Sequence, residues 1–156
     1  MNIEDFRTYC LSFKGAYEKM PFEKAASAYD RNLLVFCVAE KWFCFVNVET
    51  FDFCNIKCAP DWIVDLQERY EGVTPAYHMN KKHWISVHFD KDVPDRTIED
   101  LVKQSYDLVA ASLPKKGESG FAGPVNGIRE RHRGYIRQRR FFPPSFLCLG
   151  ESRKVT

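Results

Sequence analysis

The order of apolar and polar positions divides the chain into short, well-punctuated elements. Residues 2–13 place Ile3, Phe6, Cys10 and Phe13 at three- and four-residue spacing, which predicts a helix with one buried face. Asn2 suits its N-cap, Glu4 and Asp5 sit where the helix dipole favours acids, and Gly15 follows as a stop. Residues 14–32 hold no period and contain Pro21, so they read as a long connection. Residues 33–38 are a continuous apolar run and predict a strand. Ala39-Glu40-Lys41 reads as a short turn, and residues 42–48 as the second arm of a hairpin. Both faces of that arm are largely apolar, so it is expected to be central and covered on both sides.

Residues 53–58 read as a third strand. Pro60 is suited to the first turn of a helix running to about Tyr70, with Ile63, Leu66 and Tyr70 facing the core and Gly72 ending it. Residues 83–89 alternate by twos: Ile85, Val87 and Phe89 share one face with His83, and Trp84, Ser86 and His88 share the other. A final helix runs between Pro94 and Pro114. Its predicted buried stripe is Ile98, Leu101, Val102, Ser105, Leu108, Val109 and Ser112. The order α-β-β-β-α-β-α, with hairpin-linked strands, indicates an α+β fold built on a largely antiparallel sheet.

Composition adds little to this picture, but charge changes it. The 156 residues have a net charge of +2, with 45% hydrophobic and 15% aromatic residues, ordinary for a globular domain with a substantial core. The charge is unevenly placed. Residues 1–116 carry 15 basic against 18 acidic groups, a net of −3; residues 117–156 carry 8 against 3, a net of +5. An acidic body does not advertise nucleic-acid binding, so any such binding needs a local patch. No apolar run approaches the length of a membrane span, and the start lacks the pattern of an export signal. A cytoplasmic protein is expected, with its six cysteines reduced and most of them packed as small hydrophobes.

Several segments carry a family resemblance. They are Lys41-Trp42-Phe43, Ile56-Lys57-Cys58, Gly72-Val73-Thr74-Pro75-Ala76-Tyr77-His78-Met79-Asn80-Lys81-Lys82-His83-Trp84, Ser105-Tyr106-Asp107-Leu108-Val109 and Leu113-Pro114-Lys115-Lys116. Together they resemble the MmcQ/YjbR family of small bacterial proteins over residues 1–116. The resemblance implies a compact α+β fold of the CyaY-like type, with a double-wing arrangement similar to DNA-binding modules. It implies DNA as partner and brings no catalytic residues. The DNA label rests on structural analogy, and a fold does not fix a function.

The residues that could carry chemistry gather in one stretch. Tyr77, His78, Asn80, Lys81, Lys82, His83 and Trp84 combine cations, hydrogen-bond donors and aromatics, with Lys57 joining from the third strand. Phosphates need cations and donors, and bases stack on aromatic faces. The other reading is a solvated loop whose Tyr77 and Trp84 cover the core edge. Were residue 84 to lie opposite the Ile85 face, Trp84 and His88 would reach solvent or a groove. No metal or cofactor is expected: His83 and His88 point to opposite strand faces, and no Cys-x2-Cys pair occurs. Ser105 falls in a buried stripe, so it reads as packing rather than as a nucleophile. Cys58 precedes a helix whose dipole could lower its thiol pKa, but it reads as core. Phosphate-cradling glycine loops are absent from the body.

Beyond residue 116 the composition shifts. Six of the eight glycines and seven arginines lie in residues 117–156, with one lysine. A flexible Gly-rich stretch leads to Arg129, Arg131, Arg133, Arg137, Arg139 and Arg140, interleaved with Tyr135 and Phe141. Three readings stand: an arginine-rich arm contacting nucleic-acid phosphates, an extension without a role, or the product of a shifted frame. The expected function is non-enzymatic DNA binding through the basic-aromatic stretch. The alternative is a module binding a small anionic ligand or a protein partner.

Overall fold

The computed structural model of the protein describes residues 1–114. The elements are α1 (Ile3–Leu11), β1 (Ala16–Lys19), α2 (Ala28–Arg31), β2 (Leu33–Val38), β3 (Lys41–Asn47), β4 (Phe53–Lys57), α3 (Pro60–Arg69), β5 (Val73–Pro75), β6 (Trp84–His88) and α4 (Asp95–Ala111). The strands form one six-stranded sheet in the order β1-β2-β3-β4-β6-β5, and every pairing is antiparallel. The fold is α+β, and β3 is central, as its two apolar faces predict.

Local chemistry accounts for most of the boundaries. The Asn2 side chain accepts the Asp5 N–H at 2.9 Å and opens α1, which buries Phe6 and Cys10. Pro60 occupies the first turn of α3, whose Ile63 and Leu66 are buried while Tyr70 ends it half-buried. Ala39 and Glu40 form the β2–β3 turn with φ of 45° and 64°, a left-handed pair without glycine. The Glu40 carboxylate is held there, accepting from Tyr17 Oη at 2.7 Å and Lys19 Nζ at 3.4 Å.

Three short elements were not predicted. β1 and α2 lie inside the stretch read as a connection, and β5 lies just before the candidate site segment. All are three or four residues long, too short to display a period. β1 is recognisable only by its pairing, Ala16 with Val38 through Lys19 with Val35. A second difference concerns α4. Ile98, Leu101, Val102, Ser105 and Val109 are buried, but Leu108 and Ser112 are exposed. Leu108 lies on the flank of the stripe centred on Val102, Ser105 and Val109, and Ser112 is the C-cap of the helix.

The sheet is apolar on both faces. One face meets the long helices: Phe6 and Cys10 of α1, Ile63 and Leu66 of α3, and Ile98, Leu101, Val102 and Val109 of α4 share a core with Phe36, Phe43, Ile56, Ile85 and Val87. The opposite face holds a smaller cluster of Leu33, Val35, Cys37, Phe45, Ala76 and Trp84, with Tyr29 and Met79 over it. Cys10, Cys37, Cys44, Cys54 and Cys58 are all free thiols and all buried; Cys148 lies outside the described residues.

A bulge in β3 sets the geometry of one sheet end. Phe36 pairs with Cys44 but Cys37 pairs with Trp42, which leaves Phe43 as the extra residue. The β3–β4 ladder stops at Cys44–Ile56. Beyond it, Ser105 of α4 fills the gap: its hydroxyl accepts the Lys57 N–H at 2.8 Å and donates to the Phe43 carbonyl at 2.5 Å. Ser105 is therefore more than the small packing residue its place in the stripe predicts. Gly72 has a packing role as well, since a Cβ there would lie 2.7 Å from Lys91 Cβ and 3.0 Å from Val93 Cγ2. Asp92 accepts the Gly72 and Glu71 N–H groups at 2.7 and 2.9 Å.

Two predictions follow the fold. Ser105→Ala leaves the Lys57 N–H and the buried Phe43 carbonyl without their partner, so urea unfolding should show a loss of about 1–3 kcal/mol. Leu108→Ala on the same helix should change stability by less than about 0.5 kcal/mol. The Asp92 carboxyl is held below its ordinary pKa by the Gly72 N–H first and the Glu71 N–H after it. Its folded pKa is depressed, so its stabilisation is present above the ordinary carboxyl pKa and is lost as pH falls through the folded value. The difference in Tm between the native chain and Asp92→Ala should accordingly shrink on acidification below pH ~4.

Candidate functional site

The segment joining β5 to β6 is held by its own turn hydrogen bonds and by contacts with the sheet beneath it. Tyr77 N–H donates to Ser86 Oγ at 3.1 Å, and Ser86 Oγ donates to Asn55 Oδ1 at 2.7 Å. Both polar side chains are buried in the centre of the sheet, on strands β6 and β4. His78 takes a left-handed φ of 53°. Asn80 then closes a turn: its side-chain oxygen accepts the Lys82 N–H at 3.0 Å, and its carbonyl accepts the His83 and Trp84 N–H groups, each at 3.0 Å. His83 carbonyl in turn accepts the Cys58 N–H at 2.9 Å, tying the segment to the end of β4.

The side chains divide sharply by exposure. Tyr77, His78, Asn80, Lys81, Lys82 and His83 are exposed. Tyr77 stands against His78 (ring centroids 4.0 Å apart), Tyr29 (5.7 Å) and Phe53 (6.2 Å). No acidic residue occurs between positions 73 and 89. Among the described residues, neither Lys81 nor Lys82 has a carboxylate partner within 4.0 Å. The segment is thus a positively charged loop carrying one presented aromatic ring.

Trp84 departs from the presentation expected of it. The alternation is as predicted, with Trp84 opposite Ile85 and Val87, but the residue is only 6% exposed. The face opposite the helices is a second apolar layer rather than solvent. Trp84 packs there against Phe45 at 5.9 Å, beneath the Lys57 ammonium at 5.6 Å. His88 is half-buried: its Nε2 lies 3.3 Å from Thr74 Oγ1, and its ring rests on Phe53 at 5.1 Å.

Lys57 stands at the end of β4, directly paired with Trp84. Partial burial, and next the Lys41 charge, pull its ammonium pKa below the ordinary lysine value. Lys41 is the functional candidate that the candidate stretch omitted. It begins β3, and its Nζ donates to the carbonyl and the hydroxyl of Ser112, both at 3.2 Å. Sixteen positions separate the two lysines, and only the β3–β4 pairing brings them to one sheet end. No local signal announces that.

The remaining candidates for chemistry recede. Burial drives the Cys58 thiol up to about 12, the reverse of what a helix dipole would do, so the helix end creates no reactive thiolate. Burial also pushes up the Cys44 thiol, beside Cys10 and Cys54. Among the described residues, no group of three or more His, Cys, Asp or Glu side chains is placed to hold a metal ion, and no helix is long and apolar enough to cross a membrane. Arg129, Arg131, Arg133, Arg137, Arg139 and Arg140 lie outside the described residues.

Comparison with known proteins points one way. The YjbR family model matches residues 11–108. The chain is 31% identical over 101 residues to the uncharacterized protein YbdF of Escherichia coli O157:H7, covering 64% of this chain and 83% of YbdF. It is 27% identical over 116 residues to the uncharacterized protein YjbR of Escherichia coli K12, covering 74% and 93%. Among solved structures it is similar to Deinococcus radiodurans protein DR2400, a DUF419 domain, with TM-score 0.64 and 24% identity over 78% of this chain and 96% of that one. A Pseudomonas syringae protein matches with TM-score 0.56 and 26% identity, over 69% and 98%.

The exposure pattern makes a direct prediction. Trp84→Ala should cost about 3–5 kcal/mol in urea unfolding, because it empties the smaller core cluster. Tyr77→Ala should cost under about 1 kcal/mol, because the ring is 48% exposed.

Proposed function

The chain belongs to the YjbR family, and on that footing we propose that it is a non-enzymatic, cytoplasmic DNA-binding protein. The observation that carries this reading is the loop at residues 77–83. It is exposed, free of acidic residues and cationic, and its own hydrogen bonds pre-form it. A pre-formed cationic loop binds phosphates without first having to be ordered.

Each residue then has a role set by where it stands. Lys81 and Lys82 contact phosphates, with Lys57 behind them at the end of β4. His78, Asn80 and His83 donate hydrogen bonds to the backbone or to base edges; the Asn80 oxygen is already taken by the turn, so its amide nitrogen is the donor. Tyr77 stacks on a base. Trp84 is not a wedge: buried beneath Lys57, it supports the loop from below. Because residues 1–116 carry a net charge of −3, the contact is local and strongly salt-sensitive. The arginines at 129–140 are a second, independent source of phosphate contacts.

Fluorescence anisotropy with labelled DNA over a salt series tests the reading. Substituting Lys81 and Lys82 together by Ala should weaken binding and lower the salt slope by about one per lysine. Urea unfolding should be unchanged, since both side chains are exposed. Unchanged affinity and slope would remove the loop from consideration. A parallel variant with the six tail arginines changed to Gln separates the tail's share from that of the domain.

A further inference from the structure

Tyr77, at the head of the cationic loop, is fixed by groups that are costly to bury. Of the five buried polar side chains among the described residues, three lie in the hydrogen-bond chains that hold the backbones of Tyr77 and Tyr29. Ser86 Oγ accepts the Tyr77 N–H at 3.1 Å and donates to Asn55 Oδ1 at 2.7 Å. Asn47 donates to the Tyr29 carbonyl at 2.9 Å, and its oxygen accepts the Glu49 and Thr50 N–H groups at 2.9 and 3.1 Å. A buried polar side chain is tolerated only when satisfied, and here satisfaction and the placing of two tyrosines come together.

The rings so placed form one surface group. Tyr77 meets Tyr29 with centroids 5.7 Å apart and planes at 74°, Phe53 at 6.2 Å and 71°, and His78 at 4.0 Å and 62°. His88 extends the group, 5.1 Å from Phe53. Even with these neighbours Tyr77 is 48% exposed, the most of any described Phe, Tyr or Trp ring.

A ring held this way suits one kind of stacking. A side chain that enters a duplex parts two base steps, and it needs both of its faces bare to do so. Three rings already stand against Tyr77, so it is no such wedge. It has room for one further ring laid on what remains open. A base offers a bare face only where it is unpaired and unstacked. The charges agree with a strand running along the loop. Lys81 and Lys82 follow Tyr77 by four and five residues, at most about 18 Å along the chain, and no acid occurs between positions 73 and 89. Asp30 and Asp52 adjoin Tyr29 and Phe53 in the chain, so a phosphate backbone is repelled from that flank and drawn to the lysines.

Given the nucleic-acid reading of this loop, on which the inference rests, we infer that its ligand is single-stranded rather than duplex DNA. One unpaired base stacks on Tyr77, and the adjoining phosphates lie on Lys81 and Lys82.

Fluorescence anisotropy of the full chain tests this with three labelled DNAs of about 12 nucleotides: a single strand, its duplex, and a strand of equal length without bases. The intact single strand should bind at least about tenfold more tightly than the other two. Tyr77→Ala should weaken the single strand by about 5- to 150-fold, the 1–3 kcal/mol of one base–aromatic stack, and leave the duplex and the baseless strand unchanged. A general disturbance of the loop would instead weaken all three. Tyr77→Phe keeps the ring and should bind as the native chain does. Changing the six tail arginines to Gln should lower the three affinities together and preserve their order.

A duplex or a baseless strand bound as tightly as the intact single strand would overturn single-strand recognition. So would a single-strand preference that Tyr77→Ala leaves intact or that vanishes with the tail arginines. If binding in those cases still fell with Lys81 and Lys82, the DNA reading would stand without it. Failure of all three DNAs to bind would end both.

Discussion

The hydroxyl of Ser105 closes the sheet where β3 bulges away from β4. Phe43 is pushed into the helix-facing core by the bulge, and its carbonyl and the Lys57 N–H lose their ladder partners. The carbonyl is buried and the N–H partly so, and in such places an unmade hydrogen bond costs more than a made one contributes. One buried serine, 0% exposed, satisfies both. The same contact fixes the azimuth of α4, since Ser105 must face the bulge for the bridge to form. It also fixes Lys57, and through the Lys57–Trp84 pairing it places the start of β6 and the loop that leads into it.

A second constraint is the sheet's two apolar faces. The three long helices all cover one side. The other is covered by Tyr29 from the four-residue α2 and by Ala76 and Met79 from the loop before β6. The candidate loop is therefore partly a structural cover: Ala76, Met79 and Trp84 face inward while Tyr77, His78 and residues 80–83 face outward. Such a loop gains rigidity from its buried half and presents its charged half in a fixed geometry. The polar pair Asn55–Ser86 within that face anchors Tyr77 from below, so the exposed ring rests on a buried hydrogen-bond chain.

Electrostatics divide the molecule in the same way. Acidic groups engage cations elsewhere, as at Arg7–Glu18, Lys19–Glu40 and Lys103–Asp107. The end of the sheet bearing Lys41, Lys57, Lys81 and Lys82 has no such partners among the described residues.

Periodicity and punctuation made much of this legible. α1, β2, β3, β4, α3, β6 and α4 each span enough residues to show a period or a cap, and the segment at residues 77–84 declares its chemistry by residue type alone. β1, α2 and β5 were not legible, because three or four residues carry no period and their identity lies in the strand beside them. The exposure of Leu108 depends on how α4 is rotated on the sheet. The burial of Trp84 depends on what covers the far face; alternation tells which residues share a face, not whether that face meets water. The placing of Lys41 and Lys57 at one sheet end and the Ser105 bridge depend on strand pairing, a bulge and helix docking. The sequence by itself determined the longer elements, the family and the cationic loop, because these follow from neighbours along the chain. Only the tertiary structure decided which aromatic is presented and how Ser105 bridges β3 and β4, because those depend on contacts between residues far apart in the chain.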